Sequence, residues 1–106
     1  MTEAVEYFHL VGMQIKGANK GKIFGHEGYC IGKKPFYFLE EEDAVFKLGG
    51  KLKEEALKLK GASFFNPMKK EGKGMGNWIQ LSFKYKAHWE YFAREAFLNL
   101  KSELRK

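Results

Sequence analysis

A single cysteine, Cys30, occurs among the 106 residues, so the chain cannot form an intrachain disulfide. Small secreted domains normally carry several disulfides, and their absence favours a reducing, cytoplasmic environment. No apolar stretch approaches the about 20 residues that a membrane-spanning helix requires, and the first six residues carry two glutamates where a signal peptide would be basic. The sequence therefore predicts a cytoplasmic protein that neither crosses a membrane nor carries an export signal.

Motifs for metal binding and catalysis are also missing. The three histidines lie far apart, and neither a CxxC nor an HxxxH motif occurs; a pair such as His26 and Cys30 falls short of the four ligands of structural zinc. Residues 17–23 lack the glycine spacing and the hydroxyl of a phosphate-binding P-loop, and no nucleophile stands beside a base and an orienting group. We expect no metal, no cofactor and no catalytic residue, and hence a protein that is not an enzyme.

What the chain does contain is enough apolar mass for one core. Hydrophobic residues make up 44% and aromatic residues 16%, with only two prolines. This composition argues against disorder, and a chain of this length folds as one domain of ordinary size. We therefore predict a single domain over residues 1–106.

The charge balance is basic. Nineteen lysines and arginines against thirteen acids give a formal charge of +6, with most of the excess in the second half. This permits acidic partners such as nucleic acid, although scattered lysines serve first to keep a surface solvated.

Hydrophobic periodicity predicts an α+β domain. Helical spacing occurs at both ends and in the middle, and period-two alternation bounded by glycines indicates strands elsewhere. The predicted helices are 3–16, 52–59 and a final one containing Trp89, Phe92, Ala96 and Leu100. The predicted strands are 20–24, 28–32, 35–39, 43–48 and 78–83, and residues 62–66 form a short strand or an extended segment. The acidic run 40–43 predicts a hairpin tip, and glycines and lysines at 67–76 predict a loop.

The connections are too short for parallel crossovers, so the sheet should be antiparallel. We predict five to six strands in the order α-β(3-4)-α-β(1-2)-α, with the terminal helices covering one face. Phe36 and Phe38 should share a face, whereas Tyr37, Trp78 and Tyr85 should be exposed. An exposed edge strand could pair two copies with Trp78 as an anchor, so monomer and homodimer both stay open.

Residues 23–36 read Ile-Phe-Gly-His-Glu-Gly-Tyr-Cys-Ile-Gly-Lys-Lys-Pro-Phe. This segment resembles the opening signature of the TfoX/Sxy N-terminal domain family, with Ile23 in place of the usual methionine. Further landmarks follow in the family's order over about residues 5–100: Phe46-Lys47-Leu48, Phe65-Asn66-Pro67-Met68, Met75-Gly76-Asn77-Trp78-Ile79, Trp89 and Ala96.

The resemblance implies an antiparallel sheet flanked by helices and a binding function without a catalytic site. Full-length TfoX proteins carry a further helical domain and regulate competence genes alongside a transcription factor. The present chain matches only their N-terminal part, so the resemblance implies a stand-alone domain.

Two functions are consistent with these observations. The first is a non-enzymatic binding or adaptor domain that engages a protein partner, with a link to transcription or competence regulation. The alternative is direct nucleic-acid binding through lysine-rich surface loops. The candidate contacts for either partner are Lys20, Lys22, Lys33, Lys34, Lys69, Lys70 and Lys73. A small-molecule pocket between sheet and helices is a third class, to which no residue points.

Overall fold

The computed structural model describes residues 2–23, 25–65 and 77–105. It shows the predicted α+β class, with three α-helices and a six-stranded antiparallel sheet. The elements in chain order are α1 (Glu3–Met13), β1 (Asn19–Ile23), β2 (His26–Ile31), β3 (Lys34–Glu40), β4 (Asp43–Lys47), α2 (Gly50–Leu57), β5 (Ser63–Phe64), β6 (Trp78–Leu81), a short 3-10 helix (Phe83–Tyr85) and α3 (Lys86–Leu104). The predicted loop 67–76 lies outside the described residues.

Helix α1 begins where the sequence predicts and ends three residues earlier. The Thr2 hydroxyl accepts a hydrogen bond from the Val5 backbone N–H at 3.2 Å, which satisfies one of the unpaired donors of the first turn. At the other end the Ile15 N–H bonds to the Gly12 carbonyl. This bond spans three residues rather than four, so the last turn tightens and regular α-helix stops at Met13.

The strands lie in the order β1-β2-β3-β4-β6-β5, and every neighbouring pair is antiparallel. The first four strands follow one another through tight turns, which is the meander that the glycine spacing predicts. The acidic turn between β3 and β4 is solvent-exposed at Glu41 and Glu42, as predicted. Strands β1 and β5 form the two edges of the sheet.

A β-bulge between β2 and β3 decides which aromatic rings face the helices. Tyr29 pairs with Tyr37, but Cys30 pairs with Pro35, so Phe36 is an extra residue in β3. At a bulge two consecutive residues lie opposite one residue of the partner strand. Phe36 and Tyr37 consequently both enter the core beneath the helices, whereas Phe38 faces the other side.

Two sequence predictions are therefore wrong. Phe36 and Phe38 do not share a face, and Tyr37 is fully buried rather than exposed. The physical reason is that one inserted residue reverses the phase of the alternation, which no pattern within β3 alone reveals.

Helices α1 and α3 cover one face of the sheet, as predicted. Trp89, Phe92, Ala96 and Leu100, which define the apolar stripe of α3, are all buried. The ring of Phe8 on α1 stacks on Tyr37 at a centroid distance of 4.3 Å, and the edge of Phe97 on α3 meets Phe36 at 5.5 Å. Aromatic contacts therefore join both helices to β3.

The opposite face of the sheet carries a second apolar cluster. Its members are Ile23, Cys30, Phe38, Val45, Phe65 and Trp78. Cys30 thus occupies an interior position as a small apolar side chain, as the sequence predicts.

Trp78 is only 9% exposed, and its ring centroid lies 5.2 Å from that of Phe38. The prediction that Trp78 is exposed and available as a dimer anchor is wrong. Tyr85 is half-buried, and its hydroxyl donates to the Lys60 carbonyl. Trp78 is buried because the sheet is apolar on both faces, whereas Tyr85, in the 3-10 helix, is exposed only in part.

We expect the stability of this fold to decline above about pH 10. The Tyr37 hydroxyl is buried and donates to the Phe8 carbonyl at 3.0 Å, and this burial raises the pKa of Tyr37 well above its ordinary value of 10.0. The unfolded chain therefore loses this proton first. The contribution is fully present below pH 10 and disappears as the pH rises through the raised pKa.

Chemical denaturation at a series of pH values between 8 and about 12 tests this expectation. Tyr37→Phe should cost about 1 kcal/mol at neutral pH, because a buried hydrogen bond is lost, and should lessen the decline at high pH. The two proteins differ only in the Tyr37 hydroxyl, so only the difference between the two curves matters. Parallel curves would contradict the prediction.

Candidate binding surface

Strand β1 is an edge strand that presents two lysines on one side. Lys20 lies opposite Tyr29 and Lys22 lies opposite Glu27 in the ladder with β2. Because Tyr29 packs beneath α1, both lysines are on the helix side of the sheet, and both are exposed. The intervening Gly21 approaches Cys30 on the other side, as the alternation of a strand requires.

The side chain of Asn19 ties the β2–β3 turn to the start of β1. Its amide nitrogen donates to the Gly32 carbonyl at 3.0 Å, and its amide oxygen accepts from the Gly32 N–H at 3.0 Å. Gly32 has φ +62°, a conformation that side-chain-bearing residues rarely adopt. This two-bond clasp holds the turn that carries Lys33 and Lys34, both exposed, beside the first residue of β1.

Four of the seven lysines predicted as contacts thus lie on the edge strand β1 or at the β2–β3 turn that is bonded to its first residue. We call the set Lys20, Lys22, Lys33 and Lys34 the basic edge. The other three, Lys69, Lys70 and Lys73, lie outside the described residues. None of the four lysines forms an ion pair with a described residue, so their charges are available to an incoming group.

A chain of three polar side chains lies beside the basic edge. His9 of α1 has Nδ1 2.9 Å from the Tyr29 hydroxyl and Nε2 3.1 Å from Glu27 Oε2. In the tautomer with the proton on Nε2, the ring donates to Glu27 and accepts from the Tyr29 hydroxyl. The side chain of His9 is 15% exposed and that of Glu27 is 54% exposed. These hydrogen bonds connect α1 to β2, the strand next to the edge strand β1.

A cavity of about 200 Å³ opens between this polar chain and β1. It is lined by His9, Lys20, Gly21, Lys22, Glu27 and Gly28. The sequence analysis did not single out His9 or Glu27 as site residues. They are 18 residues apart in the chain and meet only because α1 packs on the sheet, so no local pattern signals their contact.

Burial favours the protonated forms of Tyr29, beside the cavity, and of Cys30, on the opposite face of the sheet. Burial, and secondarily the charge of Glu27, raises the pKa of Tyr29, which keeps its hydroxyl a neutral donor at physiological pH. Burial also raises the pKa of the Cys30 thiol, which disfavours the reactive thiolate. Over residues 2–23, 25–65 and 77–105, no three His, Cys, Asp or Glu side chains come together as a metal site.

Comparison with known proteins finds no family model, no curated protein and no solved structure that matches this chain. The resemblance to the TfoX/Sxy N-terminal domain family therefore stays a prediction. Within the described part of the chain, no helix is both long enough and apolar enough to cross a bilayer.

Proposed function

We propose that this chain is a non-enzymatic binding or adaptor domain that engages an acidic protein partner through the basic edge. The observation that carries the proposal is a set of four exposed lysines without an ion pair to any described residue, two on the edge strand β1 and two at the β2–β3 turn that the Asn19–Gly32 clasp bonds to its first residue. The resemblance to the TfoX N-terminal domain adds a link to transcription or competence regulation. A cytoplasmic location fits this role.

A protein partner is favoured by the kind of surface on which the lysines lie. An edge strand offers backbone N–H and C=O groups as well as charge, and an extended polypeptide can pair with both. Nucleic acid could use only the charge, through contacts with phosphates. It is the second candidate because the same four lysines would serve it.

Site-specific photo-crosslinking in the native cell tests the proposal. Lys33, in the clasped turn, is replaced with the photoreactive benzoylphenylalanine, and the exposed Lys51 at the start of α2 is replaced in the same way as a matched control. We expect a discrete protein adduct from position 33 and none from position 51. The crosslinked partner should be acidic around the attachment point, which mass spectrometry of the adduct identifies.

Two outcomes would overturn the protein-partner proposal. Equal adducts from positions 33 and 51 would show that the basic edge is not the binding surface. Alternatively, duplex DNA could bind with a log K that falls steeply with log salt. If the quadruple variant Lys20→Ala/Lys22→Ala/Lys33→Ala/Lys34→Ala then flattened that slope by up to about four units, nucleic acid would replace protein as the partner.

A further inference from the structure

We propose that the partner binds as an additional β-strand on β1, through an extended acidic segment whose carboxylates occupy alternate positions and pair with Lys20 and Lys22. This inference rests on the proposed function, because it specifies how the acidic partner is held at the basic edge. The ligand it specifies is a peptide segment with Glu or Asp at every second residue.

The first argument is the position of β1 in the sheet. Strand β1 pairs with β2 on one side only, and no described strand lies along its other side. An edge of this kind presents a row of backbone donors and acceptors that a further strand can pair with. Main-chain hydrogen bonds of this type supply affinity, and side-chain contacts at alternate residues supply specificity.

The second argument is the spacing of the charges. Lys20 and Lys22 are two residues apart, so both project to the helix side of the sheet. In a strand added to β1, the residues opposite them are likewise two apart and on the same face. Carboxylates at these two positions would each meet one lysine. Acids at consecutive positions would place one carboxylate on the wrong face.

The third argument disfavours a second copy of this chain as the added strand. If two β1 strands paired antiparallel with Gly21 opposite Gly21, Lys20 of each copy would lie opposite Lys22 of the other copy. The pair would then contain two such lysine–lysine contacts. Like charges directly opposite each other destabilise a strand pair, and edge lysines are a common protection against self-pairing. The same two charges that repel a copy attract an acidic strand.

The cavity beside His9 supplies room on the helix side. Its walls include both lysines of β1 and the Glu27 carboxylate. Glu27 is held by His9 Nε2 at 3.1 Å and does not pair with either lysine. The ammonium groups of Lys20 and Lys22 are therefore free to turn toward carboxylates arriving from the open side of β1.

On the opposite face, β1 ends at Ile23, which belongs to the second apolar cluster. The residues of the added strand that lie between its acids point to this face. Aliphatic side chains there would extend the cluster, so a segment that alternates acidic and aliphatic residues matches both sides of β1.

The test is a titration of the ¹⁵N-labelled full chain with synthetic peptides, followed by amide chemical shifts. The probe is acetyl-Thr-Val-Glu-Val-Glu-Val-Thr-amide. Two matched peptides serve as controls: one of the same composition with consecutive glutamates, Thr-Val-Val-Glu-Glu-Val-Thr, and one with the probe's sequence in which every amide is N-methylated. The expected result is a set of shifts concentrated at residues 19–23 and His9, with at least tenfold weaker binding of both control peptides.

Matched variants locate the contact on the protein. Lys20→Gln/Lys22→Gln should weaken binding of the probe about tenfold, whereas Lys51→Gln/Lys58→Gln, which removes the same charge from exposed positions on and after α2, should leave it unchanged. Glutamine keeps a polar side chain only one atom shorter than lysine, removes the positive charge and adds no negative charge beside Glu27. The amide spectrum of each free variant verifies its fold.

Three results would overturn strand addition. Binding of the N-methylated or consecutive-glutamate peptide as tightly as the probe would show that charge alone is recognised. Equal loss in the two double variants would remove the specific role of Lys20 and Lys22. Absence of shifts at residues 19–23 at millimolar peptide would remove β1 as the docking strand. In each case crosslinking from position 33 still decides independently whether a protein partner uses the basic edge.

Discussion

Replacement of Gly28 by alanine is expected to destabilise the fold by about 3 kcal/mol or more, at the upper end of the usual cost of overpacking. A Cβ at this position would lie 2.2 Å from Ile23 Cδ1, 2.7 Å from the Tyr37 carbonyl oxygen and 2.8 Å from Phe38 Cβ. The isoleucine tip can move, but the carbonyl oxygen belongs to the neighbouring strand and cannot. Urea unfolding followed by circular dichroism would measure the loss.

Gly49→Ala is the matched control. Nothing lies within 4 Å of a Cβ at Gly49, and its backbone is extended with φ −139°, so alanine fits without strain. We expect a change of less than about 1 kcal/mol, the size of an altered helix cap. Equal midpoints for the two variants would contradict the packing of β1, β2 and β3 described above. Since Gly28 lines the cavity beside His9, Gly28→Ala should also disturb the edge that presents Lys20 and Lys22.

The second large effect is expected from Phe38→Ala, at about 3–5 kcal/mol of lost stability. Phe38 is fully buried on the face opposite the terminal helices. Its ring lies 4.9 Å from that of Phe65 and 5.2 Å from that of Trp78, both edge-on, and stacks on His26 at 5.7 Å. Truncation removes all three contacts and leaves a cavity. The urea midpoint should fall accordingly.

Phe38→Leu distinguishes lost packing from a general intolerance of substitution. Leucine refills much of the space with apolar atoms, so its cost should be clearly smaller than that of alanine. If alanine and leucine cost the same small amount, the second apolar cluster would contribute little to folding. The face of the sheet opposite the terminal helices would then behave as a solvent-exposed face, as the sequence predictions for Tyr37 and Trp78 assumed.

Local features of the chain were accurately predicted because their causes are local. The stripe of Trp89, Phe92, Ala96 and Leu100 predicts both the existence of α3 and its buried face, since a helix places such residues side by side. The hydroxyl of Thr2 predicts where α1 begins. The short connections predict antiparallel pairing, because parallel strands need long crossovers. Each of these inferences uses residues within a few positions of one another.

The errors arose where a partner strand decides the outcome. One extra residue opposite β2 reverses the phase of β3, which buries Tyr37 and turns Phe38 to the other face. The prediction that Trp78 is exposed was wrong because the second face of the sheet is also apolar. The apolar character of this face depends on residues from β1, β2, β3 and β4 that come together only in the folded sheet. Alternation within one strand shows neither whether a bulge interrupts it nor whether the other face is exposed to solvent.

The candidate site divides in the same way. The sequence alone determined that lysines such as Lys20, Lys22, Lys33 and Lys34 are solvent-facing, since the free energy of burying an unpaired ammonium group forbids any other place for them. Only the tertiary structure decided that two of them lie on an edge strand and that the turn with the other two contacts its first residue, because the Asn19 clasp on Gly32 and the outermost position of β1 depend on long-range pairing. The contact of His9 with Glu27 arises in the same way, from the packing of α1 on the sheet. Charge is a property of each residue, whereas a binding surface is a property of how distant residues are brought together.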